Sequence, residues 1–186
     1  MLTAMSELAV QKTSIEGLLQ VDLVVHGDNR GWFKENYQEA KLQALGFPEF
    51  KPVQNNYSYN AETGVTRGIH AEPWNKYVSL ACGRVFSAIV DLRPGDGFGR
   101  LEVLELTAGS ALYIPAGCGN SFQTLEDNTV YTYLVDAYWS PDAKYTMVNL
   151  FDRELDISWP IPRDRTTISD KDAAHPTLEQ VRASLS

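Results

Sequence analysis

Cysteine, histidine and clustered positive charge are all scarce in this sequence of 186 residues. Its two cysteines, Cys82 and Cys118, lie far apart with no Cys-x-x-Cys spacing, which fits a reduced, cytosolic setting. No Lys/Arg-rich run occurs, and 24 acidic against 16 basic residues give a formal net charge of −8. Polyphosphate chains need a basic face, so no nucleic-acid partner is predicted, and any anionic ligand has to be held by a few placed arginines and lysines. Long apolar runs are missing too. In the first twenty residues, MLTAMSELAVQKTSIEGLLQ, Glu7, Lys12 and Glu16 interrupt what would have to be a signal core. Neither a signal peptide nor a membrane span is predicted, and the expected location is the cytoplasm.

What remains is the composition of an ordinary globular protein, 44% hydrophobic and 22% charged, at a length that predicts one domain over residues 1–186. Short segments rich in β-branched and aromatic residues recur along it, each closed by turn residues: LLQVDLVV (18–25), KYVSLACG, RVFSAIVDLRPGDG, RLEVLELTAGS, ALYIPAG, TVYTYLVDAYWSPD and YTMVNLF. This spacing predicts an all-β antiparallel fold, a jelly roll, rather than a parallel sheet with crossover helices. Two stretches read as small outer helices. NYQEAKLQALGF (36–47) stops at Gly46, and TLEQVRASLS follows Pro176 with Thr177 as its cap. GDGFG (95–99) is a turn after Pro94 and not a phosphate loop, since no Lys-Ser/Thr follows it.

A jelly roll holding histidine first suggests a metal site built from two or three imidazoles and a carboxylate. Here His26, His70 and His175 are spread over the chain with no His-x-His pair, so no metal site is predicted. Proton chemistry suits the segment TRGIHAEPWNKY (66–77) better. An imidazole with an ordinary pKa near 6.5 exchanges protons around neutrality. Lys76 is suited to steady a developing oxyanion, and Arg67 to pin a hydroxyl or phosphate. A structural strand histidine is the plainer alternative for His70. Arg67 and His70, three apart, would face opposite sides of a regular strand, and a bulge at Gly68 would bring them together. In VYTYLVDAYW (130–139), read as a strand carrying Tyr131, Tyr133 and Tyr138, alternation puts Tyr131 and Tyr133 on one face. They line a cavity or pack an aromatic core.

Taken together and in order, DNRGWFKE, PVQNNYSYN, GVTRGIH with Lys76 downstream, GRVFSAIVDLRPG followed by FG, YIPAGCGNSFQ, YTYLVDAYWSP, DISWPI and ISDKD run from about residue 20 to 175. On these motifs the chain resembles the dTDP-4-dehydrorhamnose 3,5-epimerase family. The resemblance implies a cupin-type jelly roll working without metal or other cofactor, as a homodimer, on a dTDP-4-keto-6-deoxysugar. It implies His70 as base, Asp172 of ISDKD as the carboxylate paired with it, Tyr133 as acid on the opposite face, and Lys76 beside the enolate oxygen. Arg67 then lies beside the sugar. Arg30, Glu35, Gln54 and Asn56 correspond to nucleotide-binding positions, some reaching across the dimer, and Tyr138 joins the substrate-binding group. For Asp172 a cap on the turn before the C-terminal helix is the alternative.

The sequence departs from the family pattern at PAGCGNSF, which has Asn120 where a second active-site histidine is common. An asparagine hydrogen-bonds a sugar hydroxyl but does not exchange a proton near pH 7. Glu72 and Trp74 also differ from many members. Beside the 3,5-epimerase reading stand two others: a mono-epimerase or ketoisomerase on a related sugar, and a non-catalytic nucleotide-sugar-binding cupin. The last requires His70 and Asp172 to lie too far apart to hydrogen-bond.

Overall fold

The computed structural model describes residues 7–185, so residues 1–6 of the stretch read for a signal core and Ser186 of the last predicted helix lie outside it. Two antiparallel sheets face each other. The first is made of β1 (Ala9–Lys12), β2 (Leu19–Asp22), β5 (Gln54–Asn60), β7 (Lys76–Cys82), β10 (Ser110–Ile114) and β12 (Thr129–Val135), in the order β1-β2-β10-β7-β12-β5. The second contains β6 (Thr66–Ala71), β8 (Val85–Asp91), β9 (Leu101–Leu106), β11 (Cys118–Thr124) and β13 (Thr146–Met147), in the order β13-β6-β11-β8-β9. A separate hairpin pairs β3 (His26–Asp28) with β4 (Gly31–Phe33). No helix among the described residues is long and apolar enough to cross a membrane.

Alternation along each strand divides the apolar residues into three clusters. Val78 and Leu80 of β7, Ile89 of β8, Leu112 of β10, Phe122 of β11 and Tyr131 of β12 fill the space between the sheets. Outside the first sheet, Tyr77 and Tyr113 pack under α1 (Glu39–Ala44) with Leu42, Phe47 and Phe50. Outside the second sheet, Ile69 and Val90 pack against Val148, Leu150 and the Leu178 and Val181 face of α3 (Leu178–Leu185). Both sheets are therefore covered on their outer faces, and this is why strands such as β7 and β8 read as nearly continuous apolar runs.

Both predicted helices are present, the first shorter than 36–47, and a short helix that was not predicted, α2 (Asp170–Ala173), precedes the second. The N-cap of the first is Gln38, whose side chain accepts from Lys41 N–H, while Gly46 at φ +89° closes the helix. There Gly46 N donates to Gln43 O and Phe47 N to Leu42 O, a Schellman arrangement that brings Phe47 onto Leu42. Thr177 caps α3 as expected: Gln180 N donates to Thr177 Oγ1 and Gln180 Oε1 accepts from Thr177 N.

Tyr138 is a correction. β12 ends at Val135, because the Asp136 carboxylate turns away to accept from Asn75 N and Nδ2, and Tyr138 lies beyond the strand, 74% exposed. The described strands also include β5 and β11, which the apolar-segment reading passed over.

Candidate active site

The predicted bulge is present in β6. Along the β6–β11 ladder His70 pairs with Asn120 and Arg67 with Phe122, so three steps on β6 oppose two on β11. Gly68 occupies the irregularity at φ +120°, and a Cβ there would lie 2.5 Å from Ser121 Cβ and 2.6 Å from Asn120 O. Only glycine fits that approach. The extra residue returns His70 to the face that Arg67 shares, while Ile69 and Ala71 point out to the second-sheet cluster.

A cavity of about 200 Å³ opens there between the two sheets. Arg67, His70, Lys76, Asn120, Tyr131 and Tyr133 are among its walls, with Glu72 and Ser58. Thus β6 and β11 supply one side and β7 and β12 the other. Tyr131 and Tyr133 do share a face and divide the two readings given to them. Tyr131 is fully buried and stacks on Phe122 at 4.1 Å, whereas Tyr133 is only partly buried at the cavity.

His70 Nε2 lies 3.0 Å from Asp172 Oδ1, and Gly68 N donates to Asp172 Oδ2 at 3.1 Å. Asp172 belongs to α2 (Asp170–Ala173), and Ser169, not Asp172, is the cap of that turn: Ser169 Oγ accepts from Asp172 N. The carboxylate is thereby left to reach β6. Burial alone would raise its pKa, but the hydrogen bonds from His70 and Gly68 outweigh this and hold Asp172 below the usual carboxylate range. With Asp172 ionised, His70 Nε2 carries the ring proton and Nδ1 the lone pair. The separation that would have marked a mere binder is therefore a hydrogen bond.

Lys76, 4% exposed, begins β7 and is paired with the Glu72 carboxylate. Burial lowers its pKa, opposed by Glu72. Tyr133 is pushed up, first by burial and then by Glu72, with Arg67 acting the other way, so its hydroxyl keeps its proton well into alkaline solution. Asn120 Oδ1 accepts from Tyr131 OH at 3.0 Å, and Arg67 Nε donates to Asn60 Oδ1 at 2.8 Å.

The remaining predicted residues stand apart from this cavity. Arg30 is exposed and pairs with Asp28, and Glu35 pairs with Lys41 beside a second cavity of about 240 Å³. Gln54 Nε2 donates to Asn56 Oδ1 at 2.8 Å on β5, and Gln54 Oε1 accepts from Trp139 N.

Two members of the site had escaped sequence reasoning. Glu72, a departure from the family pattern, reaches Lys76 because the turn between β6 and β7 folds the chain back, a pairing that neither strand nor helix spacing signals. His175 packs edge-on against His70, with centroids 5.3 Å apart. This corrects the argument that three scattered histidines leave no metal-ligand set: the turn at α2 brings ligand atoms of His70, Asp172 and His175 within 4.8 Å of one another.

The model of the family described as dTDP-4-dehydrorhamnose 3,5-epimerase matches residues 12–180. A Streptococcus pyogenes serotype M6 protein named "Protein RmlC homolog" is 44% identical over 175 residues, 90% of this chain and 88% of its own. The structure of RmlC from Streptococcus suis in complex with dTDP-D-xylose superposes with a TM-score of 0.90 at 43% identity, covering 95% of this chain and 94% of that one. A Streptomyces protein named dTDP-4-dehydro-6-deoxyglucose 3-epimerase is 33% identical over 172 residues, 89% of this chain and 86% of that protein. By the extent of the family match and the identity of these relatives, the chain belongs to the dTDP-4-dehydrorhamnose 3,5-epimerase family.

Proposed function

We propose that this chain is a dTDP-4-dehydrorhamnose 3,5-epimerase, converting dTDP-4-keto-6-deoxy-D-glucose to dTDP-4-keto-L-rhamnose as a single-domain, cytoplasmic homodimer. The observation that carries the reading is the His70–Asp172 hydrogen bond in a cavity that also contains Lys76 and Tyr133. The C4 ketone acidifies the hydrogens on both neighbouring carbons. His70 Nδ1 takes one of these protons, the enolate oxygen is met by the Lys76 ammonium, and the Tyr133 hydroxyl returns a proton from the opposite face. Inversion needs such a pair of groups on two sides of the ring, because one base acting alone gives exchange without net inversion. Asp172 keeps His70 in the required tautomer and stabilises the imidazolium. Arg67 and Asn120 hold the sugar end. Gln54, Asn56, Arg30, Glu35 and Tyr138 serve the nucleotide end, and the distance of Arg30 and Glu35 from the cavity supports their acting on a partner's substrate.

The test is an NMR time course of dTDP-4-keto-6-deoxyglucose in deuterium oxide. Deuterium is expected at both C3 and C5 with this protein and at neither with His70→Ala. Label at neither carbon with the unaltered protein overturns the reading. Sedimentation should give twice the 20.8 kDa chain mass, and a monomer would remove the cross-subunit roles.

One observation favours a second reading, inversion at one carbon only. Asn120, bound to Tyr131, supplies no titrating group where one is common in the family. Deuterium confined to C3 or C5 would select it.

A further inference from the structure

The proton transfer uses two of three ionisable side chains that meet beside β6. The third, His175, follows α2 and is held from outside: Asn149 Nδ2 donates to Ala173 O at 3.0 Å, and Asn149 N donates to Pro176 O at 2.9 Å. Its side chain is 6% exposed, the Gly68 backbone offers its ring only a weak contact, no hydrogen bond of normal geometry reaches either nitrogen, and its Nε2 stops 3.8 Å from Asp172 Oδ1. Buried polar groups are nearly always paired, so a buried imidazole this poorly partnered has a nitrogen to offer a ligand.

We propose that His70, Asp172 and His175 form a binding site for a divalent transition metal of the zinc type, and that metal capture there switches off the base. Two imidazoles and one carboxylate oxygen are the donor set of such ions and not of magnesium or calcium. Zinc bonded at about 2.0–2.1 Å in a tetrahedron sets its donors roughly 3.3 Å apart. The His70–Asp172 separation of 3.0 Å has to open slightly, and the His175–Asp172 separation of 3.8 Å has to close slightly. All three ligand atoms already lie within 4.8 Å, so side-chain adjustments are enough. Gly68 N keeps its hold on Asp172 Oδ2 and so orients the carboxylate from behind. His70, 33% exposed against 8% for Asp172, sits at the cavity, so the remaining coordination positions open toward it.

The inhibition follows from the ring tautomer and rests on the function proposed above. A neutral imidazole has one N–H. When Nε2 coordinates the metal, that proton resides on Nδ1, the atom that has to accept the proton from the sugar. Metal uptake itself does not depend on the reaction.

The experiment uses the full chain and zinc ion alone, competed against a chromogenic chelator. One zinc per chain is expected for the unaltered protein, with affinity reduced at least about tenfold in His175→Gln. Cobalt substitution should give the intense visible bands of a four-coordinate site, and these need no variant to fold. In the deuterium-exchange assay zinc should inhibit the unaltered protein at concentrations at least about tenfold lower than those needed for His175→Gln, each referred to its own metal-free rate. Binding that is absent, or unchanged in His175→Gln as for capture by exposed Cys82, overturns the proposal, as does cobalt with only weak six-coordinate absorption. An inactive protein that still binds zinc through His175 would sink the epimerase reading and leave the metal site standing.

Discussion

Lys76 is buried with a single carboxylate for company, and its charge state depends on that pairing. Burial already lowers its pKa, and Glu72 is what opposes the fall. The ammonium serves the enolate only while protonated, so activity is lost as pH rises through the Lys76 pKa. Removing the Glu72 charge lowers that pKa further. Glu72→Gln should therefore move the alkaline limb of the kcat/KM profile to lower pH by at least about one unit, the shift that ~1.4 kcal/mol of lost pairing produces. An unmoved limb would mean that Lys76 does not set it. Burial displaces Tyr133 in the opposite direction, upward. Tyr133→Phe removes one donor only, so net inversion should fall by roughly 10²–10⁴-fold while loss of label to solvent through His70 falls less. Inversion of both centres at the unaltered rate would dismiss Tyr133 as the acid. At this scale the sequence was legible in part. His70, Lys76 and Arg67 stood out as a local group, but Asp172 is 102 positions from His70 and no periodicity joins them. Only the ordered motifs did. His175 is as remote from His70 along the chain, and only the turn of α2 brings the two rings together.

The strands legible as apolar segments build most of the core, whereas β5 and β11, which bring Ser58 and Asn120 to the cavity, were not legible in that way. β5 reads QNNYSYN and β11 reads CGNSFQT, with polar residues facing inward at Ser58 and Asn120 because they line a cavity rather than fill it. A pattern search tuned to apolar alternation passes over such strands for a physical reason: the cavity that holds a ligand is where the inner face stops being apolar. The bulge was legible because two residues that had to share a face were three apart with a glycine between them. Gly68→Ala tests this element. With φ at +120° and β11 backbone within 2.6 Å of the new Cβ, the β6–β11 pairing has to yield. A loss of more than about 1 kcal/mol is expected, seen as a fall in Tm of at least ~2 °C, together with loss of most of the activity as His70 leaves Asp172. A variant of unchanged Tm and activity would show that the close approach is not needed.

For the molecule as a whole, the packing between sheets is what keeps the cavity open at one end while the rest is filled. Leu112, fully buried in the central cluster with Val78, Ile89 and Phe122, is not among the residues lining the cavity. Leu112→Ala should cost about 2–5 kcal/mol and be visible in chemical unfolding as an earlier midpoint, with KM nearly unchanged if the remaining structure does not collapse into the gap. A large rise in KM would mean that core and cavity are less separate than their walls suggest. The −8 charge leaves the few cations in the cavity without a basic surround. Arg67 and Lys76 must therefore draw an anionic nucleotide sugar by contact more than by long-range attraction, and ionic strength should change kcat/KM little.

All thirteen strands named above are complete by Met147, but the carboxylate that arms His70 arrives only with Asp172. A chain emerging from the ribosome, or one clipped by a protease between those two points, can therefore own every strand and still lack a directed base. Turnover, in this architecture, reports that synthesis has passed Asp172 and that the stretch leading to it is unbroken.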